Sequence, residues 1–329
     1  MPMKPVRLAI AGAGHMGARH SACIRANPEA QLVAVWSRTR QHAAALAASA
    51  GAQVASSVEE LVQRADVDAV IVATQTGNHA ETTLAAIQAG KHVLVEKPLA
   101  RTLPEAELLI RAAEDAGVLL LTGHVLRFYP VFRVLHDRIL ARDIGAPAVI
   151  HMSRETSVVP TGWRSLLAEG GGVIVDLGIH EFDWLLWTLG PVERVYCKAV
   201  SRTGSPAHDY ALSTLRFACG AIAHVESSAV RASGFRIAGE FAGDGGMLTY
   251  DSELDQALRM DFEPVGRATW EGLPTTYTGP SPYGLQLEHW VRCICGLEPP
   301  AVPPGQALGA LQVALAALES AQIGKAVTL

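Results

Sequence analysis

From Val6 to Gly123, short apolar runs alternate with alanine-rich stretches whose apolar positions recur at helical spacing. The runs are Val6 to Gly12, Gln31 to Trp36, Val67 to Thr74, Lys91 to Lys97 and Val118 to Gly123. The helical patterns between them cover His15 to Ala26, Arg40 to Ala50, His79 to Ala89 and Pro104 to Ala116. Unbroken apolar strands separated by helices mark a parallel sheet covered on both faces. This half is therefore predicted to be a doubly wound α/β domain.

After Pro147 the period shortens. Val149 to Val159, Val192 to Ser201, Tyr210 to Ala218, Ala221 to Val230, Phe235 to Gly243 and Gly246 to Ser252 read as strands, several alternating apolar with polar residues. Ala218-Cys219-Gly220 and Ala242 to Gly246 have the composition of hairpin turns. The prediction is an α+β domain with an open, mainly antiparallel sheet. Its free face carries Thr214, Arg216, His224 and Glu226, a set equally suited to plain solvent exposure. Two helices follow, Gly284 to Cys295 and Gly305 to Ala321, separated by the proline-rich Gly296 to Pro304. The expected organisation is residues 1–123 as the first domain and 124–329 as the second, with the C-terminal helices 284–295 and 305–321 able to pack back on the first.

Composition agrees with two domains. At 329 residues the chain is about twice the usual single-domain length, and 49% hydrophobic content is ample for two cores. A net charge of −5 with no basic run argues against nucleic acid as a partner. No stretch approaches the ~18 apolar residues that a membrane span needs. The short apolar run near the N-terminus enters a glycine turn directly and lacks a small-x-small cleavage site, so it is not read as a secretory signal. Five cysteines, Cys23, Cys197, Cys219, Cys293 and Cys295, form no C-x-x-C pair, which fits a reduced, cytoplasmic protein.

The chemistry begins where the first strand gives way to the first helix. Gly12, Gly14 and Gly17, with His15 and Met16 among them, have the spacing G-x-G-x-x-G. In that place Gly12 permits a tight turn, Gly14 lets backbone approach a pyrophosphate, and Gly17 lets the helix sit against the sheet with its N-terminal N–H groups facing the anion. A glycine turn without ligand is the plainer alternative, and the strand-to-helix context favours the dinucleotide.

An adenosine ribose would then lie at the end of the second strand. NAD-preferring sites usually place a carboxylate there, whereas this chain has Ser37-Arg38-Thr39-Arg40. Ser37 and Arg38 suit a 2′-phosphate, because a guanidinium pairs bidentately with phosphate oxygens, so the reading leans to NADP. The alternative is that Arg38 and Arg40 are solvated residues at a helix start. In open α/β sheets ligands lie beyond the carboxyl ends of the strands, which places Thr74, Gln75, Thr76, His79, Glu96 and Lys97 by the cofactor.

The glycine fingerprint, Ala73 to His79, Glu96-Lys97-Pro98 and Gly170 to Trp187 together resemble the glucose-fructose oxidoreductase and inositol dehydrogenase family, Gfo/Idh/MocA. The resemblance spans nearly the whole chain. It implies a Rossmann domain binding NAD(P), and hydride transfer between nicotinamide and a secondary alcohol or ketone of a sugar, inositol or related polyol. It also implies a homo-oligomer, dimer or tetramer, with the second sheet supplying an interface.

For Lys97 the resemblance implies a hydrogen bond to the substrate oxygen; the residues alone would equally allow a partly buried salt bridge at a strand end. For His180 and Asp176 it implies a general acid/base histidine and its partner. Four residues apart on a helix, the two lie along one face, so the carboxylate can fix the imidazole tautomer. A core histidine and a metal site are the other readings, the latter disfavoured because no second ligand cluster is nearby. Weaker substrate candidates are His124, Arg127, Trp163, Arg164 and Tyr283. Arg127, Arg154 and Arg164 could hold a carboxylate or phosphate, or form ordinary salt bridges. Two functions of other kinds stay open: a non-catalytic NAD(P)-binding sensor, and an enzyme that keeps and recycles its NAD during epimerase or hydrolase chemistry.

Overall fold

The computed structural model describes residues 4–204, 207–254, 258–262 and 279–329. Two compact units share the chain: Met1–Phe128 with Pro280–Leu308, and Tyr129–Gly279 with Gly309–Leu329.

The first unit is built on a six-stranded sheet of β1 (Val6–Ala11), β2 (Ala30–Trp36), β3 (Gln53–Val54), β4 (Ala69–Val72), β5 (His92–Val95) and β6 (Leu120–Thr122). Its order is β3-β2-β1-β4-β5-β6, with every pair parallel. The chain order reverses beside β1, which puts the topological switch point between β1 and β4. Helices α1 (His15–Ala26), α2 (Arg40–Ala50), α3 (Val58–Gln63), α4 (His79–Gln88) and α5 (Leu103–Ala116) connect the strands. Their limits follow from local chemistry. Thr102 and Glu105 form a reciprocal capping box at the start of α5, and Gly117, at φ +63°, ends it in the left-handed conformation that glycine adopts without strain.

The second unit contains α6 (Pro130–Leu140), α7 (Leu167–Gly170), α8 (Ile179–Leu189) and the strands β7 (Pro147–Thr156), β8 (Val192–Val200), β9 (Tyr210–Phe217), β10 (Ile222–Ser228), β11 (Phe235–Gly243), β12 (Gly246–Asp251) and β13 (Leu258–Phe262). After α9 (Pro282–Ile294) in the first unit, α10 (Pro304–Ile323) leads to β14 (Val327–Thr328). The eight-stranded sheet has the order β13-β12-β11-β7-β10-β9-β8-β14, and only β7 and β10 pair in parallel. Its strands alternate, as a sheet covered on one face must. Ile150, Met152 and Arg154 point inward and are buried, whereas Val149 and His151 are exposed. The inner face packs on α6 and α8 through Trp184, whose ring lies 5.6 Å from Phe132 and 5.2 Å from Phe241.

Residues 282–294, expected to be helical, form α9, and Leu287, Trp290 and Val291 join the core of the first unit together with Leu8, Ile10, Ile24 and Val35. None of the described helices is long and apolar enough to cross a membrane.

Candidate active site

The three glycines of the first turn are there for different reasons. Gly12 sits at φ +110°, and a Cβ there would come within 2.3 Å of the Ala73 carbonyl oxygen. At Gly17 a Cβ would come within 1.9 Å of the Gly12 carbonyl oxygen, so only glycine lets α1 descend onto the turn. A Cβ at Gly14 would meet nothing within 4 Å. Two positions are thus closed by the protein's own backbone and the third opens outward, as a cradle for a pyrophosphate requires. Gly14 is also the N-cap of α1 and brings no capping side chain, which suits a first turn whose amides face an anion.

Beside this turn, Ser37 follows β2 half-buried and Arg38 is exposed, its Nη1 donating to Gln75 Oε1 at 3.4 Å. Thr74 and Gln75 are half-buried at the end of β4, and Thr76 is buried in the single turn Thr76–Asn78. His15 and Met16 open α1, and the exposed His15 ring accepts from Arg19 at 3.3 Å.

Glu96, Lys97 and Pro98 follow β5 at the same carboxyl edge of the sheet. Glu96 is buried, and its Oε1 accepts from His20 Nε2 at 2.6 Å. Burial alone would push the carboxyl up; the His20 hydrogen bond and the nearby positive charges outweigh it and hold Glu96 below its usual range, ionised. An ionised carboxylate only accepts, so the proton is on Nε2. On the far side of the lysine, His79 is buried with Nδ1 2.8 Å from the Pro98 carbonyl oxygen and Nε2 3.3 Å from that of Thr74. Burial lowers its pKa despite those carbonyls, so the ring is neutral and its one N–H serves the shorter contact. His79, expected beside the cofactor, engages its ring with the loops after β4 and β5.

In the second unit, the triple glycine is required by its surroundings. Gly171 and Gly172 have φ of +68° and +61°, and a Cβ on Gly170 would lie 2.7 Å from the Arg164 backbone. The helix expected through Asp176 and His180 is present and continuous, but it widens ahead of α8. Ile174–Gly178 form a wide π turn holding Asp176, and His180 lies in the first turn of α8. At Gly178 the backbone lies close to the sheet: a Cβ there would approach Ser227 Oγ of β10 to 2.9 Å. Single π turns inside α-helices are frequent at functional sites. His180 is nearly buried at 9% exposure, Asp176 is half-buried, and the next residue, Glu181, is fully buried against Arg154 at 2.7 Å. Arg154 is therefore a structural ion-pair partner.

The weaker substrate candidates have different surroundings. His124 is completely buried. Arg127 is 2% exposed and donates to the Ala301 carbonyl oxygen at 3.0 Å and to Gln306, tying the returning segment to the first unit. Arg164 is exposed, 5.6 Å from the Trp163 ring. Tyr283 packs under Arg19, 4.6 Å from its guanidinium carbon, and edge-on to His20 at 6.4 Å.

Elsewhere in the first unit, Cys293 Sγ lies 3.3 Å from His289 Nε2, and His289 Nδ1 lies 2.8 Å from Glu298. The arrangement imitates an activated thiol but is not one. Burial pushes the Cys293 thiol up to about 11, and Nε2 already accepts the Ala301 N–H at 2.9 Å. Among the described residues no cluster of three or more His, Cys, Asp or Glu side chains is placed to hold a metal.

A glycine cradle at the switch point of a parallel sheet, with a lysine turn on the same edge, makes this an NAD(P)-dependent oxidoreductase. The comparisons with known proteins narrow the class. Residues 6–124 match the model of an oxidoreductase family with an NAD-binding Rossmann fold, and residues 132–249 match the GFO/IDH/MocA C-terminal domain. The chain belongs to the Gfo/Idh/MocA oxidoreductase family. It is 30% identical to inositol 2-dehydrogenase 2 of Paenarthrobacter aurescens over 328 residues, 96% of each chain. It is 40% identical to 1,5-anhydro-D-fructose reductase of Ensifer adhaerens over 200 residues, 59% of this chain and 60% of that one. Among solved structures, GenD2 from gentamicin A biosynthesis, in complex with NAD, superposes with a TM-score of 0.89 at 26% identity, covering 99% of this chain and 97% of that one.

Proposed function

We propose that this protein moves a hydride between NAD(P) and a secondary alcohol or ketone of a sugar, inositol or related polyol, using NADP at least as well as NAD. The observation that carries the reading is the lysine turn, held rigidly at the cradle's edge of the sheet by buried Glu96 and His79. When bound, the nicotinamide supplies the hydride acceptor or donor at its C4. Lys97 donates a hydrogen bond to the substrate oxygen, and its charge lowers the pKa of the hydroxyl. His180 takes the hydroxyl proton, and Asp176 orients the ring and stabilises its charged form. The names of the relatives, inositol 2-dehydrogenase and 1,5-anhydro-D-fructose reductase, support the substrate class.

The cofactor preference rests on Ser37 and Arg38. The contact from Arg38 to Gln75 uses one of five guanidinium N–H groups, and a charge-assisted bond from the others to a 2′-phosphate contributes ~1.5–3 kcal/mol. The five free cysteines suit a reducing, cytoplasmic setting. Self-association is supported by Val149, Tyr196, Leu212 and Ile222, exposed together on the outer face of the second sheet. The test is a panel of sugars and inositols with each cofactor, followed at the absorbance of the reduced nicotinamide. Oxidation of a polyol with NADP is expected, and clear preference for NAD would overturn the cofactor assignment alone.

A further inference from the structure

We propose that His20 is a positioning residue for Lys97, acting through the Glu96 carboxylate; the inference rests on the reading of Lys97 as the group that touches the substrate oxygen. His20 comes three residues after Gly17, within the buried stripe Gly17, His20, Ser21 and Ile24 of α1. Its ring therefore points at the sheet and not at solvent. The side chains of His20 and Glu96 are 1% and 9% exposed and 2.6 Å apart. A carboxylate this deeply buried must be held by a donor, because leaving it unpaired is strongly unfavourable.

The pair has a specific anchorage. Gly123, which follows β6, leaves the space that Glu96 occupies: a Cβ there would come within 3.1 Å of Glu96 Oε2. Tyr283 meets the His20 ring edge-on at 82° and is itself covered by Arg19. Adjacent residues at a strand end project to opposite sides, so fixing the carboxylate of Glu96 fixes the direction in which Lys97 leaves the backbone. His79 holds the other flank of the same turn through the Pro98 carbonyl. The helix that carries the glycine cradle is thus bonded directly to the turn that carries the lysine. Cofactor seat and ammonium share one frame, and the His20–Glu96 hydrogen bond ties its two parts together side chain to side chain.

The test uses the full chain with His20→Leu, His20→Gln, Glu96→Gln and the double variant His20→Leu/Glu96→Gln. Two readouts are taken: turnover on whichever polyol the panel identifies, and the rate at which acetic anhydride acetylates Lys97, read by mass spectrometry with exposed Lys198 as the internal reference. His20→Leu is expected to lower kcat roughly tenfold to hundredfold, as displacement of a reacting group does, with cofactor Kd changed by less than about threefold. Acetylation of Lys97 relative to Lys198 should rise several-fold in the same variant. His20→Gln, which keeps an N–H donor, should restore much of both, and the double variant should be no worse than His20→Leu, since the stranded charge is gone. If His20→Leu does not fold, His20→Gln and Glu96→Gln are compared on the same readouts, and Glu96→Gln alone must reproduce the loss. Unchanged kcat and unchanged Lys97 acetylation would overturn the proposal, as would losses in the single variants that simply add in the double. A Lys97→Met variant separates the two levels: if it stays active, the role of Lys97 fails, and if it is inactive while the His20 variants are normal, only the role of His20 fails.

Discussion

Two single residues carry roles that kinetics can measure. His180→Ala is expected to lower kcat about a hundredfold or more with little change in cofactor affinity, because general acid/base catalysis contributes roughly 10² to 10⁴. Lys97→Met keeps the apolar stem and removes the ammonium, so turnover should collapse while circular dichroism stays that of the folded protein. Unfolding of that variant, or full activity in either, would return the residue to a structural role. The buried ring of His79 predicts a pH effect. Its pKa is lowered in the folded state, so below about 6.5 the unfolded chain takes up a proton that the native one refuses. Thermal stability should therefore fall as pH drops through that value, until the native ring protonates too, and His79→Gln should flatten the decline. Lys97, Asp176 and His180 are proposed from the sequence because each stands in a recognisable motif. His20 is not, although its place in the buried stripe of α1 is a signal: a polar residue on the sheet side of a helix needs a partner, and here it is Glu96. The sequence places Glu96 beside the cofactor or pairs it with its neighbour. Its hydrogen-bond partner His20 lies 76 residues earlier in the chain, which spacing alone does not reveal.

At the scale of elements the glycine turn separates packing from binding. Gly17→Ala forces a Cβ against the Gly12 carbonyl and should cost ~1–3 kcal/mol, seen as a lower Tm, as well as loss of dinucleotide binding. Gly14→Ala meets no protein atom, so it should fold normally and lose only binding, checked by fluorescence titration with NAD and NADP. Equal loss of stability in both would mean that the turn is only a packing device. The limits of α1 and α2 agree with the pattern of apolar positions because alanine-rich amphipathic segments are unambiguous in period. The π segment ahead of α8 is different: local periodicity through Val173 to Trp187 gives no sign of it, and Gly178 within it packs close to Ser227 on the distant β10. Short elements such as β3 and α3 likewise carry too few residues to show a period.

At the scale of the molecule, two units with separate cores agree with the composition, and the return of residues 280–308 to the first unit puts Tyr283 against His20 and the Ala301 carbonyl against Arg127. The chain is an NAD(P)-dependent oxidoreductase of the Gfo/Idh/MocA family, and in the proposed function the hydride comes from a carbon-bound hydrogen of a polyol or sugar. The direct measurement is to supply inositols and sugars carrying deuterium on every ring carbon, with NAD and NADP, and to weigh the reduced cofactor by mass spectrometry. A reduced nicotinamide carrying deuterium, formed by the unmodified protein and not by Lys97→Met, is the result predicted. Tight binding of either cofactor with no reduction by any member of the panel, or reduction without deuterium, would contradict it.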